Sequence, residues 1–314
     1  MGAVCYDDYL QTMPLQDLMN PCKNVTRDTM MGLLREYAAV FADERFHMGG
    51  DEVSYNCWAQ DKSVQPGCSF TPGGAPIANE TTYNQLEARF EKHLHTELAA
   101  HHKLPMHWHD PIIERGIDYP RSTLVEVWDG TNRSVLAAVL AMGYRAVFAG
   151  SYYLDHLQLN WEDDLYSVDP GTFDQVRALP AAQQALLQGV EACMWSETVD
   201  RHNALQKVWP RAAATAERGW SSSNTTMPLN GINGGYTPGP AGARATTPTP
   251  SAGHQTPALV LQRMHAHRCR LLARGINVAP EHHGQAVGYG GLEPITGSYG
   301  QGLCPQDVNA ARPE

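Results

Sequence analysis

The sequence lacks the features that mark several classes of protein. Basic residues are few: 23 lysines and arginines stand against 33 aspartates and glutamates in 314 residues, a formal net charge of −10. No basic stripe with interleaved aromatic residues is present, so nucleic acid is not an expected partner. No apolar run reaches the roughly 18 residues that a membrane span needs, so no membrane span is expected.

The sequence also lacks a C-x-x-C motif and, at its start, the charged and apolar regions of a signal peptide. It nevertheless contains seven cysteines and four N-x-S/T sequons, at Asn24, Asn79, Asn132 and Asn224. Four sequons, together with cysteines outside any metal motif, indicate glycosylation, a secretory route and an oxidising compartment. The simplest reconciliation is that Met1 is internal to a longer chain whose start carries the signal peptide.

Short apolar runs alternate with runs of helical periodicity along the chain. The first helical run carries an apolar stripe and has Thr26 as a candidate N-cap; the stripe is Met30, Leu33, Leu34, Tyr37 and Phe41. Five strand-like segments follow: RFHMGG, LPMHWHD, TLVEVWDG, RAVFAGSYY and VEACMW. This alternation predicts an α/β fold with a parallel sheet, although five strands are too few to close an eight-stranded barrel.

Polar and aromatic residues follow each of the five predicted strands, where a (β/α)8 barrel places its chemistry. They are Asp51 and Glu52, then Trp108, His109 and Asp110, then Trp128 and Asp129, then Tyr152 and Tyr153, and finally Trp195 and Glu197. Residues 221–256 are rich in Ser, Thr, Gly and Pro and have too few apolar residues to fold alone. We interpret them as a low-complexity surface loop without a catalytic role.

The stretch FHMGGDEV, residues 46–53, is the most informative part of the sequence. Most adjacent Asp-Glu pairs are solvated surface, but this pair follows an apolar strand and two glycines that allow close approach of a backbone or a ligand. In a regular strand Asp51 and Glu52 would point to opposite faces. Both can serve one pocket only if the pleat breaks where the strand becomes a loop.

A carboxylate pair suits a glycosidase, but the usual geometry does not suit sequence neighbours. The two carboxyl groups of a retaining enzyme lie about 5 Å apart across the sugar, and those of an inverting enzyme lie further apart. Asp51 is therefore not expected to be an attacking nucleophile opposite Glu52 as acid. The alternative is a substrate that carries its own nucleophile.

The motif FHMGGDEV resembles the catalytic motif of family 20 glycoside hydrolases, the β-N-acetylhexosaminidases. The similarity continues through MHWHD, VEVWDG, SYYLD, EACMWSE and WPRAAATAERGW, in the order of the family, and includes the lysosomal hexosaminidase α and β subunits. It covers roughly residues 5–280. The resemblance implies an incomplete (β/α)8 barrel in which about strands 4–8 are present.

The resemblance also implies a retaining, substrate-assisted mechanism. The carbonyl oxygen of the substrate's 2-acetamido group attacks C1 and forms an oxazolinium-like intermediate. Glu52 would protonate the leaving oxygen and then deprotonate the incoming water. Asp51 would accept a hydrogen bond from the acetamido N–H, and Tyr153 would donate one to the acetamido carbonyl.

The remaining positions of the family motifs imply a sugar-binding pocket. Trp108, Trp128 and Trp195 match the tryptophans that wall the pocket, where sugar C–H faces stack on indoles. Glu197 matches a carboxylate that binds sugar hydroxyls. Asp155 would repel a sulfate or a sialate, which favours neutral substrates. A single tryptophan is more often core, but three at three strand ends favour the pocket.

A metal site and a cofactor are not expected. The spacing His107-x-His109-Asp110 could hold a metal, but strand alternation puts both histidines on the face opposite Trp108, away from the pocket that Trp108 would line. The family that the motifs resemble needs no metal and no cofactor.

The relatives suggest disulfides between Cys5 and Cys57 and between Cys269 and Cys304. Cys22 and Cys68 remain as a further candidate pair. Cys193 lies within the apolar segment VEACMW and is interpreted as a buried thiol outside any disulfide.

The resemblance further implies that the whole chain, residues 1–314, is the C-terminal part of the catalytic barrel. The family's N-terminal non-catalytic domain and first barrel strands have no counterpart here. The expected partners are glycoconjugates that end in N-acetylhexosamine, with a homodimer in the full-length form and a lysosomal or secreted location. The alternative is that this chain is an inactive truncated fragment or a weak sugar-binding module.

Overall fold

The computed structural model describes residues 5–6, 14–15, 18–65, 67–68, 82–157, 161–221, 258–279 and 304. The predicted low-complexity loop lies outside these residues from position 222 onward, as do the sequons at Asn79 and Asn224. Among the described helices, none combines the length and apolarity needed to cross a membrane. The chain divides into two compact units, residues 1–126 with 138–146, and residues 127–137 with 147–314.

The central feature is a five-stranded sheet. A short antiparallel pair, β1 (Cys5–Tyr6) and β2 (Pro14–Leu15), precedes it. The strands of the five-stranded sheet are β3 (Arg45–His47), β4 (Leu104–Trp108), β5 (Leu124–Val127), β6 (Arg145–Phe148) and β7 (Leu187–Val190). They are arranged in sequence order, β3-β4-β5-β6-β7, and β3 pairs parallel to β4 as β4 does to β5. All four residues of β5 are buried, as expected of a parallel strand covered on both faces.

Helices precede, connect and follow the strands of the sheet. They are α1 (Asn24–Val40), α2 (Tyr55–Gln60), α3 (Tyr83–Ala100), α4 (Asp110–Ile113), α5 (Ser134–Ala141), α6 (Asp174–Arg177), α7 (Ala181–Gln184), α8 (Ala204–Val208), α9 (Arg211–Trp220) and α10 (Ala258–Ala273). A π-helical segment, residues 161–166, and a 3-10 turn, residues 170–172, follow β6. The strand-helix alternation predicted from the sequence is therefore present.

Helix α1 differs from its sequence-based description. It begins at Asn24 after an extended Lys23, so Thr26 lies buried within its first turn and is not the N-cap. Of the predicted apolar stripe, Leu34 is buried, whereas Tyr37 and Phe41 are 41% and 53% exposed. Periodicity identifies an apolar face, but only the packing partner decides how much of that face is covered.

Helix α3 places two carboxylates on its buried face. A capping box between Thr82 and Gln85 starts the helix. Its buried residues recur at helical spacing and are Leu86, Glu87, Phe90, Glu91, Leu94 and Leu98. The leucines and Phe90 join the core of the first unit with Leu34, Trp58 and Val64. Glu87 contacts Arg115 and Tyr55, and Glu91 lies near His107.

The fifth strand lies earlier in the chain than predicted. The expected strand VEACMW begins at Val190, whereas β7 ends there. The chain nevertheless continues to pair with the segment after β6, because the Cys193 N–H donates to the Tyr152 carbonyl at 3.0 Å and the Leu154 N–H donates to the Cys193 carbonyl at 2.8 Å. The predicted segment therefore carries an irregular extension of the ladder, with one parallel bridge between Tyr153 and Cys193.

Candidate active site

The segment after β3 forms a sharp turn that breaks the strand pleat. Gly49, Gly50 and Glu52 all have positive φ, at 72°, 93° and 49°. A non-glycine residue at positive φ is uncommon and marks strained or functional backbone. The regular alternation that would send Asp51 and Glu52 to opposite faces therefore ends at His47. Asp51 is half-buried and Glu52 is exposed.

Buried polar groups hold the backbone of this turn. The Glu52 N–H donates to Asp110 Oδ1 at 3.0 Å, and Asp110 is completely buried at the start of α4. The Gly49 N–H donates to His47 Nδ1 at 3.0 Å, and the Trp108 N–H donates to the Gly49 carbonyl at 3.1 Å. A hydrogen bond accepted by a buried carboxylate is strong, so Asp110 positions the backbone of Glu52.

A second network supports the same turn from helix α3. Arg115 donates to the Gly50 carbonyl, and its Nε lies 3.0 Å from Glu87 Oε2. The Tyr55 hydroxyl donates to the same carboxylate at 2.6 Å. Burial raises the pKa of Glu87, and the bonds from Tyr55 and Arg115 oppose that rise. The turn is thus tied to helices α2 and α3 through one buried carboxylate.

Trp108 lies at the end of β4, beside the turn. Its ring contacts the His47 imidazole edge-on, with centroids 4.8 Å apart, and the residue is 9% exposed. His47 Nε2 lies 3.1 Å from Glu126 Oε2 on β5. Three neighbouring strands of the first unit therefore contribute His47, Trp108 and Glu126 to one cluster of side chains beside the turn after β3.

His107 and His109 belong to different groups of side chains. His107 is completely buried against α3, with its Nε2 2.7 Å from His95 Nε2 and 3.8 Å from Glu91 Oε2. His109 precedes α4 and groups with Asp110 and Glu114. Burial lowers the pKa of His107 to about 3 and that of His95 to about 4, and it raises the pKa of Glu91 to about 8. Two sets of potential metal ligands result, Glu91–His95–His107 and His109–Asp110–Glu114.

In the second unit, the loop after β6 carries Tyr153 and Asp155. Tyr153 is half-buried and its ring stacks on His156 with centroids 5.6 Å apart. Asp155 is 7% exposed, and its Oδ1 accepts a hydrogen bond from the Trp195 N–H at 3.3 Å. Asp155 therefore contacts the backbone of Trp195, one of the tryptophans predicted to line the sugar pocket. Trp195 itself is 42% exposed, and Glu197 is exposed.

Two basic side chains hold this loop. Arg211 Nη1 donates to the carbonyls of Leu154 and His156 at 2.6 and 2.9 Å. Lys207 Nζ donates to the Asp155 carbonyl at 3.0 Å. Burial lowers the pKa of both groups. Sequence reasoning assigned no role to either residue, although Arg211 lies within the quoted motif WPRAAATAERGW.

Trp128 follows β5 and is half-buried. The next residues form a turn in which Asp129 Oδ1 accepts the N–H groups of Thr131 and Asn132 at 2.8 and 3.1 Å. At this point the backbones of Gly130 and Gly150 approach so closely that a Cβ on either would clash with the other. The glycines let the ends of β5 and β6 meet.

The cysteines are mostly oxidised. Cys269 and Cys304, the pair that the resemblance implies, form a disulfide, as do Cys22 and Cys68. Cys57 is also disulfide-bonded, but the side chain of Cys5 lies outside the described residues, so the Cys5–Cys57 pairing stays a prediction. Cys193 is a thiol that is only half-buried, which corrects its description as buried. The segment around it pairs irregularly, through the bridge between Tyr153 and Cys193.

Two of the four predicted glycosylation sites, Asn24 and Asn132, lie within the described residues. Asn24 is exposed at the first residue of α1, and Asn132 is exposed in the turn after β5. Asn132 Oδ1 accepts the Ser134 N–H at 3.1 Å, as is usual for a turn asparagine. Both positions are thus at the surface.

Comparison with known proteins places these features in a family. Beta-hexosaminidase 1 of Arabidopsis thaliana is 29% identical over 279 residues, which cover 88% of this chain and 44% of that protein. Beta-hexosaminidase subunit alpha of Rattus norvegicus is 33% identical over 214 residues, which cover 66% of this chain and 38% of that protein. The chain thus spans less than half the length of these relatives.

A solved structure and a family model agree with these relatives. The Flavobacterium johnsoniae chitobiase structure superposes with a TM-score of 0.56 and 28% identity over 68% of this chain and 31% of that chain. The model that describes the catalytic domain of glycosyl hydrolase family 20 matches residues 4–223, a span that holds the turn after β3 and every predicted catalytic and sugar-binding residue. The chain therefore belongs to glycosyl hydrolase family 20.

Proposed function

We propose that this chain carries the catalytic part of a β-N-acetylhexosaminidase. Its substrates would be glycoconjugates that end in N-acetylglucosamine or N-acetylgalactosamine. The observation that carries the proposal is the turn after β3, where three residues at positive φ release Asp51 and Glu52 from strand alternation. The beta-hexosaminidase relatives from Arabidopsis thaliana and Rattus norvegicus support the same activity.

Glu52 would act as the general acid and then as the general base. Its exposed side chain can reach a leaving group and a water, while its backbone is held by Asp110. Asp51, half-buried next to it, would accept the acetamido N–H and stabilise the positive charge of the oxazolinium-like intermediate. Two adjacent carboxylates would thus have different roles on one sugar, and the substrate would supply the nucleophile.

The sugar-binding roles are assigned through the family motifs. Tyr153 would donate to the acetamido carbonyl, and Glu197 would accept from sugar hydroxyls. The sugar faces would stack on the indoles at three strand ends, Trp108, Trp128 and Trp195. Asp155 would favour neutral substrates through its charge, and its bond to the Trp195 N–H would also hold that tryptophan in place.

The architecture that accompanies this function is part of a (β/α)8 barrel, with about strands 4–8 represented by the five strands of the sheet. The parallel strands and the connecting helices support it. In such barrels the catalytic groups lie after the C-terminal ends of the strands, which is where Glu52, Trp128 and Tyr153 lie in this chain.

Replacement of the acid tests the proposal. Glu52→Gln should lower the turnover of an aryl N-acetylglucosaminide by about 10²–10⁴-fold, because the leaving group loses its proton donor. Glu44→Gln, which changes an exposed glutamate just before β3, is the matched control and should leave turnover unchanged. Asp51→Asn should bind oxazoline-like inhibitors more weakly. Near-normal turnover by Glu52→Gln would remove Glu52 from the role.

A second candidate is a sugar-binding module without turnover. It is favoured by the exposure of Glu52 and Trp195, because an acid in open water lacks the enclosed setting that strengthens electrostatic interactions. Calorimetric binding of N-acetylglucosamine without hydrolysis of the aryl glycoside would identify this function. Hydrolysis that depends on Glu52 would exclude it.

The compartment and assembly belong to the same proposal. The disulfides Cys22–Cys68 and Cys269–Cys304 and the exposed sequons support passage through the secretory pathway to the lysosome or the cell exterior, and a homodimer is expected of the full-length form. After secretory expression, the chain should migrate faster once treated with N-glycanase, and Asn132→Gln should remove part of that shift. Unchanged mobility after the enzyme treatment would contradict the secretory assignment.

A further inference from the structure

A buried cluster of potential ligands lies directly behind the turn after β3. Glu91 and His95 are on α3, and His107 is on β4. One nitrogen or oxygen from each lies within 4.8 Å of the others. None of the three residues has a role in the proposed sugar chemistry. Glu91 and His107 are 6% and 0% exposed. Burial of such polar side chains costs free energy unless each has a hydrogen-bond or ionic partner.

The carboxylate of Glu91 is incompletely satisfied. Its Oε2 is buried without a hydrogen-bond partner among the described residues and lies 3.8 Å from His107 Nε2. The nearby guanidinium of Arg115 is occupied by Glu87 and by the Gly50 carbonyl. A buried oxygen that is left unpaired usually indicates a missing partner such as a water or an ion.

The histidines present their Nε2 atoms to the same point. His107 Nδ1 lies 3.3 Å from the Gly49 carbonyl, and a bond from Nδ1–H to that oxygen leaves the lone pair on Nε2. His95 Nε2 lies 2.7 Å from His107 Nε2 and in this tautomer donates its proton to it, and a metal ion would take the place of that proton. An imidazole whose other nitrogen donates to a backbone carbonyl is the usual form of a histidine ligand to a metal.

We propose that Glu91, His95 and His107 bind a divalent zinc ion. Two imidazoles and one carboxylate are a ligand set that zinc uses, with bonds of about 2.0–2.2 Å and tetrahedral geometry. That geometry separates neighbouring ligand atoms by about 3.3 Å. The observed separations of 2.7 and 3.8 Å fall on either side of this value, so small side-chain rotations would suffice.

An aromatic residue, Tyr119, packs against both histidines. The Tyr119 ring stacks on His107 with centroids 4.6 Å apart and lies 5.0 Å from His95. The Tyr119 hydroxyl is also buried without a hydrogen-bond partner in the described part of the chain. A water molecule bound to the metal, or this hydroxyl itself, would complete the tetrahedron.

The ion would stabilise the turn that carries the catalytic carboxylates. It would link α3 to β4, and through the His107 contact to the Gly49 carbonyl it would hold the backbone two residues before Asp51. The site is therefore structural. It has no contact with the sugar in the proposed mechanism, and zinc binding does not depend on that mechanism.

Metal content and thermal stability of the secreted chain test the inference. Wild-type protein should contain one zinc ion per chain by mass spectrometry, and removal by a chelator should lower its Tm. Glu91→Gln combined with His95→Gln should weaken zinc binding at least tenfold, since even groups that only support the ligands commonly contribute 10–100-fold. His101→Gln, at the end of the same helix and outside the cluster, is the matched control and should behave as wild type.

A second variant covers the case in which the first fails to fold. Glu91→Leu with His95→Leu removes the buried polar groups, and such apolar replacements are often neutral for stability. This variant should bind no zinc, and its Tm should be independent of chelator. Cobalt added to the metal-free wild type should give visible absorption bands that both double variants lack. Wild-type protein without zinc and with a Tm independent of chelator would overturn the proposal, as would a zinc content in both double variants equal to that of wild type.

Discussion

Gly50 should be the most sensitive position of the turn after β3, and the change Gly50→Ala isolates the reason. At φ 93° any side chain is strained, and a Cβ would lie 2.9 Å from Pro111 Cγ and 3.3 Å from His107 Nδ1. Carbon atoms prefer separations of about 3.5–4.0 Å. The proline ring is rigid and cannot rotate away, so the backbone of the turn must move.

A matched glycine separates strain from crowding. Gly143 belongs to the same unit and has φ 85°, but a Cβ there would meet only the flexible end of Arg121, at 3.9 Å. Left-handed backbone costs an alanine about 1–2 kcal/mol at either position. Crowding adds about 1–3 kcal/mol at Gly50 only. Gly50→Ala should therefore be the more destabilising change by about 1–3 kcal/mol.

Thermal unfolding followed by circular dichroism measures the difference. Each kcal/mol lowers Tm by about 2–4 °C in domains of 150–250 residues. Gly50→Ala should also lose more hydrolytic activity than Gly143→Ala, because a shift of about 1 Å in a reacting group can cost roughly 10²-fold. Equal losses of Tm in the two variants would refute the crowding argument.

Three further changes have defined outcomes. Gly130→Ala should unfold the chain or lower its Tm severely, because the added Cβ would overlap the Gly150 backbone; a Tm near that of wild type in a melting scan would contradict this contact. Replacement of Cys22 and Cys68 by serine should lower the free energy of unfolding in urea by about 4 kcal/mol, the loop-entropy value for their separation of 46 residues, and an unchanged midpoint would be the contrary result. With chelator present, wild-type stability should fall as the pH rises from about 6.5 to about 8, and Glu91→Gln should show a smaller fall; below pH 6.5 the lowered pKa values of His95 and His107 act in the opposite direction. The reason for the fall is that burial raises the pKa of Glu91 to about 8, so the folded state keeps a proton that the unfolded chain releases. Parallel pH profiles of stability for wild type and Glu91→Gln would contradict this.

The features that follow from local sequence were predictable. Alternating short apolar runs and helical periodicity led to β3–β6 and the helices between them, because side-chain spacing along one segment reports its own secondary structure, whereas the fifth predicted strand, VEACMW, begins only where β7 ends. The two glycines before Asp51 likewise indicated a break in the strand, since glycine adopts positive φ at little cost. The motif residues were recognisable for the same reason, as contiguous stretches of chain.

Features that depend on distant partners could be decided only by the tertiary structure. Asp110 and Arg211 lie in recognised motifs, but their roles come from hydrogen bonds to distant backbone groups. Asp110 bonds to a group 58 residues away, and Arg211 bonds to groups 57 and 55 residues away. The exposure of Tyr37 depends on which surface α1 meets. The cluster of Glu91, His95 and His107 forms because helical spacing on α3 and strand alternation on β4 bring together residues that are unremarkable in each segment alone. Sequence periodicity determines which residues share a face, and packing determines what that face contacts.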